Sequence, residues 1–88
     1  MVLTQRGEIQ SVNAIGGSIT DIEVTFKKPF SSAPVVIAGI RSATTNPNYG
    51  YLGCFVTNVT KTGCTLRVAN PLEATYMPNV AFIATGEL

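Results

Sequence analysis

The sequence contains no histidine and no tryptophan, and only 12% of its 88 residues are charged, about half the usual share of roughly 25%. Without histidine, the chain lacks the commonest general base and the commonest metal ligand of proteins. It also contains no Gly-x-Ser-x-Gly motif, P-loop, dinucleotide-binding glycine motif or Cys-x-x-Cys pair. These absences predict a protein that is not an enzyme and that uses neither metal nor cofactor, and a small hydrolase is kept only as a third hypothesis.

The nearest approach to a catalytic pair is Asp21 and Glu23, which share one face of a predicted strand. The two carboxylates of a glycosidase can be arranged in this way. We favour the alternative, in which both are solvated charges on the wet face of the strand.

Other absences limit the possible partners. The net charge is +1 and the densest basic site is Lys27-Lys28, which argues against nucleic-acid binding. No apolar run reaches the roughly 18 residues that cross a membrane, so we expect no membrane insertion. The first ten residues contain no apolar signal-peptide core, which predicts synthesis in the cytoplasm without a secretory signal peptide.

Turn signals recur about every ten residues, which predicts an all-β fold of five or six strands. We predict strands at residues 9–12, 19–26, 35–40, 51–59, 64–70 and 79–85. The polar link 60–63, which ends in Gly63, is a hairpin signal. It makes the glycosylation sequon Asn58-Val59-Thr60 a hairpin shoulder rather than a modified site.

The two cysteines, Cys54 and Cys64, flank this hairpin. If Val59 pairs with Cys64 across the turn, Cys54 lies opposite Ala69 and its side chain leaves the other face of the sheet. A disulfide is then geometrically awkward. We predict two free thiols that behave as small hydrophobic side chains, with a bridge as the alternative.

Several predicted strands are apolar on both faces. The strand 35–40 is predicted to be buried on both sides. The two faces of strand 51–59 carry Leu52, Cys54 and Val56 against Phe55 and Val59, and those of strand 79–85 carry Val80, Phe82 and Ala84 against Ala81 and Ile83. Because a two-layer sandwich covers one face of each strand, the second faces indicate self-association, and poor solubility is the alternative.

Two polar loops, 41–51 and 70–78, contain the recognition chemistry of the chain. Tyrosine, asparagine and arginine offer flat rings beside hydrogen-bonding groups, and such loops on a rigid scaffold commonly bind ligands. The candidate ligand-binding residues are Arg41, Asn46, Asn48, Tyr49, Tyr51, Asn70 and Tyr76. The alternative is that the tyrosines cap the core or fill a subunit interface.

Four segments follow one another in a characteristic order: Ile22-Glu23-Val24-Thr25-Phe26-Lys27-Lys28-Pro29-Phe30, Ala33-Pro34-Val35-Val36, Val56-Thr57-Asn58-Val59-Thr60-Lys61-Thr62-Gly63, and Val80-Ala81-Phe82-Ile83-Ala84 with Gly86. Over about residues 19–86, after an N-terminal segment 1–18, this order resembles the H-type lectin-like domain. That domain is common near the C-termini of bacteriophage and prophage tail-fibre proteins and occurs in invertebrate agglutinins. The resemblance implies a six-stranded antiparallel β-sandwich, a homotrimer joined through sheet faces, and glycan recognition near the subunit junctions.

The chain departs from the agglutinins at their sugar-binding positions. Where agglutinins have an arginine opening the fourth long strand and a later Trp-His pair, this chain has Tyr51 and Asn70-Pro71, and Cys64 replaces the phenylalanine that usually follows the turn glycine. The agglutinin specificity therefore does not carry over, and the phage-like branch fits better. The leading hypothesis is a non-catalytic receptor-binding tip domain of a tail fibre, carried on the virion, that binds a bacterial surface glycan or another host receptor. The alternative is a purely structural module that trimerises or caps a fibre.

Overall fold

Six strands form two three-stranded antiparallel sheets, which confirms the predicted all-β sandwich; the computed structural model describes residues 1–42 and 44–88. The strands are β1 (Val2–Ile9), β2 (Ser18–Thr25), β3 (Val35–Arg41), β4 (Gly53–Thr57), β5 (Gly63–Asn70) and β6 (Asn79–Glu87). A short 3-10 helix, Pro47–Tyr51, precedes β4. Within the described ranges, no helix is long and apolar enough to cross a membrane.

The strand order is β1-β6-β3 in sheet I and β2-β5-β4 in sheet II. The two central strands, β6 and β5, supply the most deeply buried side chains. Leu66, Val68, Val80 and Ala84 are each at most 1% exposed. The core therefore lies between the middles of the two sheets, and each sheet turns its other face outward.

The first strand is longer and earlier than predicted: it spans Val2–Ile9, not residues 9–12. Its inward positions include Gln5 and Gly7, which hide the apolar alternation in the sequence. The side chain of Gln5 donates to the carbonyl oxygen of Lys28 (2.8 Å) and accepts from the Lys28 amide (3.2 Å). At Gly7, a Cβ atom would lie 2.6 Å from the ring of Phe82, so the ring occupies the space that a side chain would need.

The register of the β4–β5 hairpin differs by one residue from the prediction. Cys54 pairs with Val68 rather than Ala69, so both thiols face inward. Val59 also packs against the core instead of sharing the outward face of Phe55, because Asn58 takes a left-handed conformation (φ 53°) that interrupts the alternation.

The two cysteines are nevertheless free, as predicted. Val68, the partner of Cys54, lies four residues beyond Cys64 along β5, which separates the cysteines by about 13 Å along the strands. Distance therefore prevents the bridge, whereas we had expected opposite faces to do so. Burial raises the pKa of both thiols.

The third strand is buried on one face only. Val36, Ala38 and Ile40 pack towards the core, whereas Val35 and Ile37 are 71% and 70% exposed. The prediction that β3 is buried on both sides is therefore wrong for the single chain. Its outward side chains join those of β1 and β6 on the outer face of sheet I.

Candidate functional site

The candidate site lies at the loop end of the sandwich, where the 3-10 helix enters β4. Asn46 caps this helix, since its side-chain oxygen accepts a hydrogen bond from the amide of Asn48 (3.0 Å). Pro47 has the backbone angle that a first helical residue requires. The helix ends with the amide of Leu52 donating to the carbonyl oxygen of Tyr49 (3.3 Å). The turn thus sets the position of Tyr49.

Tyr49 and Tyr76 form a pair of rings that bridges the two predicted loops. Their centroids are 5.2 Å apart in an edge-to-face arrangement with an interplanar angle of 71°. The side-chain amide of Asn48 donates to the hydroxyl of Tyr76 (2.8 Å). The backbone of Tyr76 is itself tied to Ala14 by hydrogen bonds of 2.9 and 3.1 Å in both directions. The rings are therefore held in place before any ligand arrives.

Two grooves lie beside Tyr49. One, of about 460 Å³, is also lined by Gly39, Ile40, Gly50, Leu52 and Cys54. The other, of about 370 Å³, is also lined by Gln10, Ser11, Met77 and Asn79. Both include the side chains of Ser42, Thr44 and Tyr49. The described residues that line them carry no formal charge, so the grooves offer hydroxyls, amides and an aromatic ring.

Four of the seven candidate residues, Asn46, Asn48, Tyr49 and Tyr76, come together at this site. Tyr51 lies at the end of the same helix and is 65% exposed. The remaining two candidates, Arg41 and Asn70, lie outside this group.

Arg41 points to the outer face of sheet I, where its Nη1 donates to Glu8 Oε2 at 2.8 Å. Asn70 is 2% exposed and holds its own loop together. Its amide nitrogen donates to the carbonyl oxygens of Ala14 (2.8 Å) and Ala74 (2.9 Å), and its oxygen accepts from the amide of Leu72 (2.9 Å).

The structure adds site residues that the sequence analysis did not single out. Ser42, Thr44 and Met77 line the grooves. The polar composition of loop 41–51 was the available signal for the two hydroxyl residues. For Met77, half exposed between two loop residues, the sequence gives no such signal.

A second group of side chains lies on the outer face of sheet II. Arg67 donates from Nε and Nη2 to the two carboxylate oxygens of Asp21, at 2.7 and 3.0 Å. Its guanidinium carbon lies 5.8 Å from the centre of the Phe55 ring. The hydrogen bond from Arg67 lowers the pKa of Asp21 below its ordinary value and raises that of Arg67. Sequence reasoning treated Asp21 as a solvated charge and missed the pairing.

The fold is similar to that of several solved protein structures. The chain superposes on an N-truncated R1-type pyocin tail fibre with a TM-score of 0.78 at 20% identity, over 97% of this chain and 70% of that one. It superposes on discoidin II of Dictyostelium discoideum with a TM-score of 0.73 at 22% identity, over 97% of this chain and 37% of that one. It superposes on a tailspike protein from Pseudomonas phage LKA1 with a TM-score of 0.67 at 14% identity, over 99% of this chain and 15% of that one.

At these identities the likeness is one of fold. No curated protein sequence matches the chain. The family model of the H-type lectin domain matches residues 21–85, which is well over half of the chain. The chain belongs to the H-type lectin domain family.

Proposed function

We propose that this chain is a non-catalytic receptor-binding tip domain of a bacteriophage or prophage tail fibre, and that it binds a bacterial surface carbohydrate at its loop end. The observation that carries the proposal is the fixed Tyr49–Tyr76 pair beside two uncharged grooves in an H-type lectin fold. Fold similarity to a pyocin tail fibre and a phage tailspike supports the placement on a virion or a related particle.

The chemistry of the grooves suits a sugar. A tyrosine ring can pack against the C–H face of a pyranose, while hydroxyl and amide groups hydrogen-bond to its hydroxyls. Ser42 and Thr44 lie in the same grooves as Tyr49 and supply such hydroxyls. Because the rings and the helix cap are already ordered, little conformational entropy is lost when the ligand binds.

We also propose a homotrimer, joined through the outer face of sheet I. Val2, Val35, Ile37 and Ile83 are between 51% and 71% exposed on this face of the single chain. Ile37 and Ile83 are cross-strand partners, with Arg6 next to Ile83 in the same row. Exposed apolar side chains bordered by charged ones mark an interaction site, and closed cyclic symmetry would cover them with copies of themselves. Three weak sites on one rigid trimer would then bind a cell surface through avidity.

A purely structural trimerisation or capping module is the second candidate, and one observation favours it. Asn70, which stands at a sugar-binding position of the agglutinins, has its side chain engaged by Ala14, Leu72 and Ala74. Such a module would keep the apolar face of sheet I and bind nothing at the loop end.

Glycan-array and bacterial-cell binding by a Tyr49→Ala variant separates the two candidates. Loss of the ring is expected to weaken binding by about 1–2 kcal/mol, roughly five- to thirtyfold, by analogy with truncation of interface residues. Tyr49→Phe keeps the ring and is expected to retain most of the binding. Both variants should keep the assembly and melting temperature of the parent. A Tyr49→Ala protein that folds and binds like the parent would favour the structural module.

A further inference from the structure

The outer face of sheet II contains a strip of surface that leads away from the loop end. Cross-strand register places Ile19, Ala69 and Gly53 in one row, and Asp21, Arg67 and Phe55 in the next. The rows are two residues apart along each strand, or about 7 Å. We refer to the six residues of these two rows as the strip.

The second row is pre-ordered for hydrogen bonding. The fork from Arg67 to Asp21 uses two of the five guanidinium N–H groups, and Nη1 is free of it. The carboxylate oxygens also keep lone pairs that can accept from a hydroxyl. Beside them, Phe55 is 50% exposed. A donor, an acceptor and a ring edge thus lie together on a flat surface.

The first row, Ile19, Ala69 and Gly53, forms a flat surface, the floor of the strip, on the loop side of the second row. At Gly53, an added Cβ would meet only the Cβ of Ala69, at 3.9 Å, so the surface there is open and nearly free of side chains. Ile19, 64% exposed, borders the floor on the β2 side. Gly53 directly follows Tyr51 and Leu52, and Leu52 lines the larger groove beside Tyr49. The β4 side of the strip therefore begins one residue beyond a lining residue of that groove.

The charges on the outer face of sheet II indicate a neutral ligand. On the strands of this face, Asp21 and Glu23 are opposed by one positive charge, that of Arg67, which leaves a net charge of −1, so an acidic chain would be repelled. Ile19 and Phe55 lie at opposite corners of the strip with only Ala69 and Gly53 between them, so they form no broad apolar patch of the kind that a protein partner or a second copy buries. A flat surface with one ring and a fixed donor–acceptor pair suits a neutral sugar.

We propose that the strip is a second carbohydrate subsite, which holds inner residues of an extended neutral polysaccharide whose outer residues occupy the grooves beside Tyr49. This inference rests on the proposed function of the loop end. Phe55 packs against one sugar ring, and Arg67 and Asp21 hydrogen-bond to adjacent hydroxyls of the same or the next residue. Affinity should then rise with the length of the glycan.

The experiment measures binding of the full chain to a printed series of neutral hexose oligosaccharides, from mono- to hexasaccharides. Phe55→Ala and Arg67→Lys are expected to weaken binding of the longer members by roughly five- to tenfold and to leave binding of the shortest unchanged. Phe55→Tyr, which keeps the ring, should retain the gain with length. Thr25→Ala, an exposed change further along the same face of β2, is the matched control.

The outcomes separate this inference from the proposed function. If Tyr49→Ala weakens binding and the strip variants do not, the loop site stands and the strip is overturned. If the parent binds no member of the series, both are overturned. If the face instead holds a protein or a second copy, Phe55→Ala will change the oligomeric state and leave glycan binding as in the parent.

Discussion

The two sheets share one architecture, three antiparallel strands with alternating side chains, but their outer faces differ in chemistry. On sheet I, Ile37 and Ile83 lie side by side and stay largely exposed in the single chain. On sheet II, the outward residues Asp21 and Arg67 form a two-point ion pair. Sheet I has an ion pair of its own, Arg41–Glu8, at one end of its outer face. The outward residues that could pack against a copy are therefore Val35, Ile37 and Ile83, and sheet II has no comparable group of exposed aliphatic side chains on neighbouring strands.

The largest expected effect tests this difference directly. Ile37→Asp puts a carboxylate next to Ile83, in the row that Arg6 ends on β1. Closing the proposed trimer would then desolvate three added charges, at a cost of about 3 kcal/mol or more per subunit. We expect a folded monomer, measured by light scattering coupled to size exclusion, whereas the parent should have three times the monomer mass.

Ile19→Asp is the matched control, because Ile19 is 64% exposed on sheet II and Ile37 is 70% exposed on sheet I. This variant should remain trimeric. A parent that is monomeric at micromolar concentration, or an Ile19→Asp variant that dissociates as readily as Ile37→Asp, would remove the assembly role from sheet I.

A second expected effect concerns how sheet II anchors the loop end. Asn70, at the end of β5, is buried and joins its strand to Ala14, Leu72 and Ala74. Asn70→Ala would remove three hydrogen bonds and leave the Leu72 amide and the Ala74 carbonyl without this partner, while the Ala14 carbonyl keeps its bond from the Tyr76 amide. The expected cost is about 2–3 kcal/mol of the free energy of unfolding. Thermal or urea unfolding measures it.

Asn13→Ala, at an exposed asparagine, is the corresponding control and should unfold like the parent. If Asn70→Ala is equally stable but loses glycan binding, Asn70 belongs to the ligand site rather than to the scaffold.

Much of the fold could be predicted from local pattern. The alternation of Ile22, Val24 and Phe26 predicted β2, and the two apolar faces of residues 79–85 predicted an extra surface to cover. The first strand was misplaced because a side-chain amide and a glycine occupy inward positions, a choice that only the partners Lys28 and Phe82 explain.

The candidate site was predicted in part for a related reason. Loop composition identified the tyrosines that meet at the loop end, since rings and amides are readable without a register. The pairing of Arg67 with Asp21 and Phe55 was not predictable, because it depends on which residues stand opposite one another across three strands. The observed register differs by one residue from the predicted one, and the left-handed conformation of Asn58 beside the hairpin was not predicted from the sequence.

A third prediction uses the cysteines to check the register that builds the outer face of sheet II. With Cys54 opposite Val68, Phe55 faces Arg67, Cys64 is buried in the core, and the half-buried Cys54 faces inward beside the larger groove. Denatured protein without reductant should contain two free thiols per chain. Native protein should react slowly with thiol reagents, because burial raises the pKa of both groups and lowers the reactive thiolate fraction. Labelling of Cys54 in the folded state at the rate seen in denatured protein would place it outward and contradict the register.

The smallest expected effect is the response of the Asp21–Arg67 pair to acid. The hydrogen bond from Arg67 lowers the pKa of Asp21 in the folded chain below its ordinary value of 3.8. A carboxyl group whose pKa is depressed by folding stabilises the folded state above its unfolded pKa, and this contribution is lost as the pH falls through the folded value. The pair therefore stabilises the protein at neutral pH and ceases to do so progressively below about pH 3.8. Because both side chains are solvent-exposed, the effect is modest and decreases with salt.

Asp21→Asn isolates this contribution. The difference in melting temperature between parent and Asp21→Asn should be small but constant from pH 7 to about pH 5, and it should shrink as the pH falls below about 3.8. Glu73→Gln, at an exposed loop carboxylate outside the ion pairs of the described residues, should show no comparable change. In the same pH series on the glycan array, acid should lower the affinity for the longer oligosaccharides in the parent and in Glu73→Gln but not in Asp21→Asn, which has no carboxylate to protonate beside Phe55. A parent–variant difference that is independent of pH would mean that Arg67 does not hold Asp21 in solution, and sheet II would then present two separate charges instead of a pre-ordered pair.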